Sequence, residues 1–197
     1  MDKPVLIVNT HPAPNPDFIH PVETWLAEEN IPWRSISGYT GNPPDPGQYT
    51  ACILSGVPLD VPYSLLQPET GALILDHFNW LKSWPHSLLG ICYGHQIIGI
   101  LFGGVISALP EPVINPALNL ELRPISQPNL FSSNKVIQVF AEHGQYISQV
   151  PEKFQVLAAK NNVPYLIYHP ELNYYGMQFV PEQSPPSTRN LVRQLFL

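Results

Sequence analysis

Residues 88–104 read Leu88-Leu89-Gly90-Ile91-Cys92-Tyr93-Gly94-His95-Gln96-Ile97-Ile98-Gly99-Ile100-Leu101-Phe102-Gly103-Gly104. A short apolar run ends at a cysteine that has a glycine two residues before it and another two residues after it. An apolar segment of helical length follows. Strand, tight turn and helix, with a reactive side chain at the tip of the turn, is the layout of a nucleophile elbow. The glycines let backbone pack on backbone where a Cβ would clash. The start of the helix offers unpaired N–H groups and a dipole, and both favour a thiolate over a thiol. A glycine-flanked cysteine also fits a buried residue in an ordinary strand-to-helix loop, so its meaning depends on its surroundings.

On the N-terminal side, residues 5–8 are a β-branched run and read as the first buried strand. A proline-rich loop over 11–16 leads to a predicted helix over 21–30, with Val22, Trp25 and Leu26 on one face. Residues 33–36 and 50–55 read as the next two strands, the latter running into Ser55-Gly56-Val57-Pro58. Residues 73–80 belong to a second helix, and 94–102 to the helix after the elbow. Strands alternating with helices predict an α/β fold, a mostly parallel central sheet flanked by helices. The second half adds a smaller antiparallel strand element. Its candidate strands are 117–124, with Leu118, Leu120 and Leu122 on one face, then 135–140, 154–159, 164–168 and 175–179. Residues 187–197 read as an amphipathic helix with Thr188 as its cap and Leu191, Val192, Leu195 and Phe196 inward.

The 197 residues suit one α/β domain, read as 1–197, better than two. Apolar residues are 44% and charged residues 12%, the balance of a packed core rather than a disordered chain. A formal charge of −6 without a Lys/Arg cluster argues against a nucleic-acid surface. No apolar run reaches the ~18 residues of a membrane span. The opening MDKPVLIVNT reads as a strand rather than a signal peptide, so the cytoplasm is the expected compartment. Cys52, in an apolar run, reads as a buried strand residue. Neither a disulfide framework, a metal site nor a cofactor motif is indicated. The 24 prolines read as loop stiffeners.

Four motifs occur in order: SGVP at 55–58, GICYGHQ at 90–96, EHGQ at 142–145 and YGMQFVPEQ at 175–183. Together they resemble the class I glutamine amidotransferase domain, in the manner of the glutaminase subunit of GMP synthetase, across nearly the whole chain. The resemblance implies a flavodoxin-like α/β fold. It also implies that the elbow cysteine, Cys92, attacks the side-chain amide of glutamine, releases ammonia and leaves a glutamyl thioester for hydrolysis. A His-x-Glu pair in a QFHPE motif activates the cysteine, by the logic of a Cys-His-acid triad. The oxyanion donors carried over are the backbone N–H groups of Val57 and Tyr93. Gly56, Gln96 and His143 map to the substrate pocket. With no synthetase half in the chain, any ammonia would pass to a separate acceptor protein.

The motif departs from the family at one decisive place. QFHPE reads Gln178-Phe179-Val180-Pro181-Glu182, so Val180 stands where the histidine belongs, and Glu182 keeps its acid without an imidazole to orient. Val57 replaces a usual glycine, which restricts the loop that forms the oxyanion hole. Loss of general acid–base catalysis alone costs about 10²–10⁴-fold, and triads lose more because they act as a unit. His143 is one candidate substitute base, against a structural role in its loop. His169, in a His-Pro-Glu triplet at 169–171, is expected on a turn, and His95 is expected to pack at the helix start. In the altered segment 106–112 only Glu111 is charged, and no partner for a substrate carboxylate is apparent. Three readings stand: a glutaminase with weakened or rescued chemistry, a non-catalytic glutaminase-like binding or regulatory domain, and a cysteine hydrolase of γ-glutamyl compounds using another base.

Overall fold

A computed structural model describes residues 3–13, 15–57, 65–124 and 135–197. Its central sheet has seven strands: β1 (Val5–Asn9), β2 (Trp33–Ser37), β3 (Ala51–Leu54), β4 (Ser87–Ile91), β7 (Gln155–Lys160), β8 (Val163–His169) and β9 (Tyr174–Met177). Their spatial order is β2-β1-β3-β4-β9-β8-β7. The first five in that order run parallel, and β8 and β7 are antiparallel additions at one edge. A separate antiparallel ribbon joins β5 (Val105–Leu122) to β6 (Lys135–Gln149). The predicted architecture, a mostly parallel sheet with an antiparallel element in the second half, is the one observed.

Period-two alternation divides the core between the two faces of the sheet. Val5 and Ile7 face one cluster, which takes in Val22, Trp25 and Leu26 of α1 (His20–Glu28) and Leu191, Val192, Leu195 and Phe196 of α4 (Pro186–Phe196). Leu6 and Val8 face the other, with Ile74 and Phe78 of α2 (Pro68–Phe78) and Ile97, Ile98 and Leu101 of α3 (Tyr93–Leu101). Leu118, Leu120 and Leu122 of the ribbon join the first cluster, on the face predicted for them.

Several boundaries move for physical reasons. The ribbon is far longer than the segments 117–124 and 135–140 suggested. Pro110 and Pro112 fall in the register shift between Ala108 and Val113, and Pro116 in the shift between Asn115 and Leu118. Proline lacks the ladder donor, so bulges absorb these residues and hide the strand from a pattern reading. Residues 142–145 consequently lie on β6 rather than in a loop. His169 ends β8 and precedes the turn. Thr188 does not cap α4: Pro185 holds that position, and the Thr188 hydroxyl donates to the Gln138 carbonyl at 2.7 Å, tying α4 to the ribbon. Pro58, the last residue of the SGVP motif, lies outside the described residues.

Candidate active site

The carboxyl ends of β3, β4 and β9 converge, the usual place for ligands in an open α/β sheet. The elbow is held by backbone. Cys92 adopts φ 49°, ψ −98°, a left-handed conformation costly for a side chain with a Cβ. Its N–H donates to the Met177 carbonyl at 2.7 Å, and the Gly94 N–H donates to the Ser55 carbonyl at 3.2 Å. A Cβ on Gly90 would stand 2.5 Å from the Gly94 carbonyl oxygen, and one on Gly94 would stand 2.5 Å from that of Leu54. Both glycines are therefore required by close backbone approach, as the sequence spacing predicts.

Around the sulfur lies a cleft of about 190 Å³, lined by Asp17, Phe18, Pro21, Gly56, Val57, Cys92, Glu142, Val180, Glu182 and Gln183. Gly56 lies against Cys92, and a Cβ there would sit 3.4 Å from the Cys92 Cβ. The Tyr93 N–H and the Gln178 side-chain amide, at 3.7 Å, both donate to the sulfur. The thiol donates to the Glu142 carbonyl at 3.5 Å. That last bond favours the neutral form.

Electrostatics work against the thiolate. Burial pushes the Cys92 pKa up to about 12, helped by the negative charges of Glu182 and Glu142, and the donated hydrogen bonds only partly offset this. The helix start favours the thiolate but does not outweigh these effects. Val180 lines the cleft at the motif position of the missing histidine. Its N–H bonds the Phe140 carbonyl at 2.8 Å and its carbonyl accepts from the Ser184 hydroxyl at 2.7 Å, which fixes its place beside the ribbon. Glu182 is lifted to about 7 by burial. One of its carboxylate oxygens, Oε2, is buried without a partner among the described residues.

The other candidates sit elsewhere. His143 is 2% exposed and engaged at both nitrogens: Nδ1 donates to the Gln145 carbonyl at 3.0 Å, and Nε2 lies 3.3 Å from the Tyr165 hydroxyl. Burial lowers its pKa to about 4. His95 is wholly buried against Gly176, with its pKa lowered to about 3 by burial. His169 packs its ring between Phe102 and Phe154. None of the seven histidines, all among the described residues, lines the cleft. Gln96 is 4% exposed, and its amide donates to the Gln145 carbonyl at 2.8 Å and to Gln178 Oε1 at 3.1 Å. It props Gln178 rather than facing the cleft. Glu111 is exposed on the ribbon and is not part of the cleft lining.

Reading the sequence missed Glu142 and Gln178, and also Asp17, Phe18 and Pro21. Glu142 could be placed only once β6 was seen to run past residue 140, because strand alternation then puts it on the opposite face from His143. The residues around α1 gave no motif signal at all.

An elbow cysteine at the carboxyl ends of a parallel sheet, its turn bonded to the backbone after β3 and to the end of β9, defines an α/β fold of the cysteine-elbow type. The chain belongs to the class I glutamine amidotransferase family, whose pattern it matches over residues 46–197. It is 27% identical over 169 residues to a subunit of the glutamine-hydrolyzing GMP synthase of Ignicoccus hospitalis, covering 83% of this chain and 82% of that protein. The match to the glutamine-hydrolyzing GMP synthase of Phaeosphaeria nodorum is 36% over 135 residues, or 66% of this chain and 24% of that one. The chain spans about half of the corresponding GMP synthase subunit from Methanobrevibacter smithii: 30% identity over 106 residues, 54% of its length. Among solved structures, the PurLQS structure from Thermotoga maritima superposes with a TM-score of 0.75 at 16% identity, covering 98% of this chain and 97% of that one. A glutamine amidotransferase from Methylobacillus flagellatus gives 0.64 at 20% identity, over 98% and 74%. At such identities the superpositions speak for the fold alone. No helix among the described residues is long and apolar enough to cross a membrane.

Proposed function

We propose that this domain binds a small ligand in the Cys92 cleft without hydrolysing glutamine at the rate of a triad enzyme. In this reading it serves as a regulatory or binding component beside a larger partner. The carrying observation is Val180 on the cleft wall, with every histidine of the chain elsewhere. With no base to take its proton, a thiol at a pKa of about 12 stays protonated at neutral pH. No imidazole in the cleft can protonate a departing ammonia. Relatives named as single subunits of a GMP synthase support a separate synthetase-type partner, which would also accept any ammonia.

The intact elbow favours a second reading, residual glutaminase activity. Cys92 would then be the nucleophile, the Val57 and Tyr93 N–H groups the oxyanion donors, and Glu182 the surviving acid, with Gly56 beside the substrate. The test is glutamate release from glutamine by the wild type, alone and with any co-purifying partner, with Val180→His assayed in parallel. The first reading expects a silent wild type, whether or not Val180→His gains activity. A gain of about 10²-fold or more in Val180→His would mean the cleft lacks only its base. Wild-type turnover at ordinary rates, abolished by Cys92→Ala, would overturn the first reading.

A further inference from the structure

The charged side chains that line the cleft are all acidic. Asp17, Glu142 and Glu182 line it together with the neutral thiol. All nine Lys and Arg side chains belong to the described residues, and none lines it. The undescribed stretches 58–64 and 125–134 contain no Lys, Arg or His. No cationic side chain of this protein is thus at hand for a ligand carboxylate. Three carboxylates line the space, and one of them, Glu182, has an oxygen that is buried without a partner among the described residues. A buried carboxylate oxygen without a donor is costly, and an incoming donor that satisfies it recovers that cost. Among the described residues the acids do not converge into a group that could hold a metal ion. Phe18, Pro21, Val57 and Val180 supply apolar wall, which suits an aliphatic stem behind a charged head.

We propose that the Cys92 cleft is a site for a small primary aliphatic amine, bound as its ammonium with Glu182 as counter-ion and Glu142 and Asp17 at the mouth. Glutamine and other ligands carrying a carboxylate are disfavoured by the same charges. This inference rests on the non-hydrolytic reading above and names its ligand class. The loss of the motif histidine is what frees Glu182 to face a ligand. An ammonium also suits the carboxyl's position on the pH scale. Between about pH 5 and 8 the amine stays charged while Glu182, lifted to about 7, gains its negative charge, so affinity rises with pH. Among the described residues the other titratable groups facing the space, Asp17, Glu142 and the Cys92 thiol, supply no positive charge at any pH.

Calorimetric titration of the purified protein with n-butylamine, sodium butyrate and glutamine tests this, alongside the glutamate-release assay. The expected result is saturable butylamine binding that tightens from pH 5.5 to pH 8, with no binding of butyrate at the same concentration. Glu182→Gln should weaken butylamine binding by about 10- to 100-fold, the loss expected for a charge-assisted hydrogen bond. Should that variant fold poorly, Glu142→Gln is expected to give a smaller loss in the same direction. Equal binding of butyrate, or unchanged butylamine affinity in both variants, would overturn the proposal. Glutamate release by the wild type would overturn the non-hydrolytic reading instead. No release and no amine binding would overturn the amine site alone.

Discussion

At Cys92 the contest between ionisation and neutrality is decided by neighbours. The start of α3 and two donated hydrogen bonds favour the thiolate. Burial and the charges of Glu182 and Glu142 oppose it and prevail, leaving the thiol near 12. Alkylation of Cys92 by iodoacetamide at pH 7 should therefore run no faster than that of an unperturbed thiol, and should accelerate steadily toward alkaline pH. Glu182→Gln removes the larger of the two repelling charges and should raise the rate at a fixed pH by severalfold. Mass-spectrometric rates for the modified peptide decide the matter, and a fast reaction at pH 7 in the wild type would contradict this account. Cys52, wholly buried in β3, provides the unreactive internal standard. His143 illustrates the same principle from the other side. Both nitrogens of this imidazole are engaged, and burial lowers its pKa to about 4, so it is neutral near pH 7.

The elements show where sequence is transparent and where it is not. The elbow is legible because its constraints are local: Gly90 and Gly94 have backbone 2.5 Å from where a Cβ would be, and no other residue type fits. Gly94→Ala should destabilise by at least about 2 kcal/mol, since the clash is with main chain rather than a movable side chain. For a domain of this size that lowers the melting temperature by about 5 °C or more. An unchanged melting curve would mean that β3 and α3 yield more easily than their packing suggests. Strands β1, β3 and β4 were legible for the same reason, each being a short, largely apolar run between loops. The ribbon was not. Its prolines sit in bulges, and only pairing with a partner strand far along the chain reveals that 105–122 is one continuous element. Nor could a motif reading place Asp17 or Phe18 in the cleft, because their approach depends on how the loop after β1 folds back over the sheet edge.

Taken whole, the molecule carries buried ionisable groups that pull stability in opposite directions with pH. Glu182 has a folded pKa of about 7, raised above its unfolded value, so its contribution is present at low pH and is lost as pH rises through about 7. His95 and His143 are lowered to about 3 and about 4, so their contributions are present above the unfolded histidine value and are lost as pH falls through and below it. Between about pH 4.5 and 6.5 the unfolded chain binds about two more protons at His95 and His143, with His169, also lowered by burial, adding in the same direction, and the folded chain about one more at Glu182. Stability should fall with acidification at about 1.4 kcal/mol per pH unit or somewhat more in the wild type, and more steeply, by about 1.4 kcal/mol per pH unit, in Glu182→Gln. Denaturant titrations across this range measure both slopes, and equal slopes would show that Glu182 titrates normally.

Arg189 and Arg193 of α4 reach Glu28 at 2.6 Å and Glu29 at 3.0 Å, where α1 ends. Such exposed pairs add little stability, about 0–1 kcal/mol each, but they fasten a stretch that precedes the family-matched residues 46–197 to the last helix within them. That stretch carries Asp17, Phe18 and Pro21, one wall of the cleft. The cleft thus resembles a vice with one fixed jaw and one interchangeable jaw. The elbow jaw is dictated by backbone crowding and tolerates almost no change. The opposite jaw is borne on a loop and a helix start, where substitutions strain little. Substitutions at Asp17, Phe18 or Pro21 can therefore reshape one wall of the cleft while the Cys92 turn stays as it is.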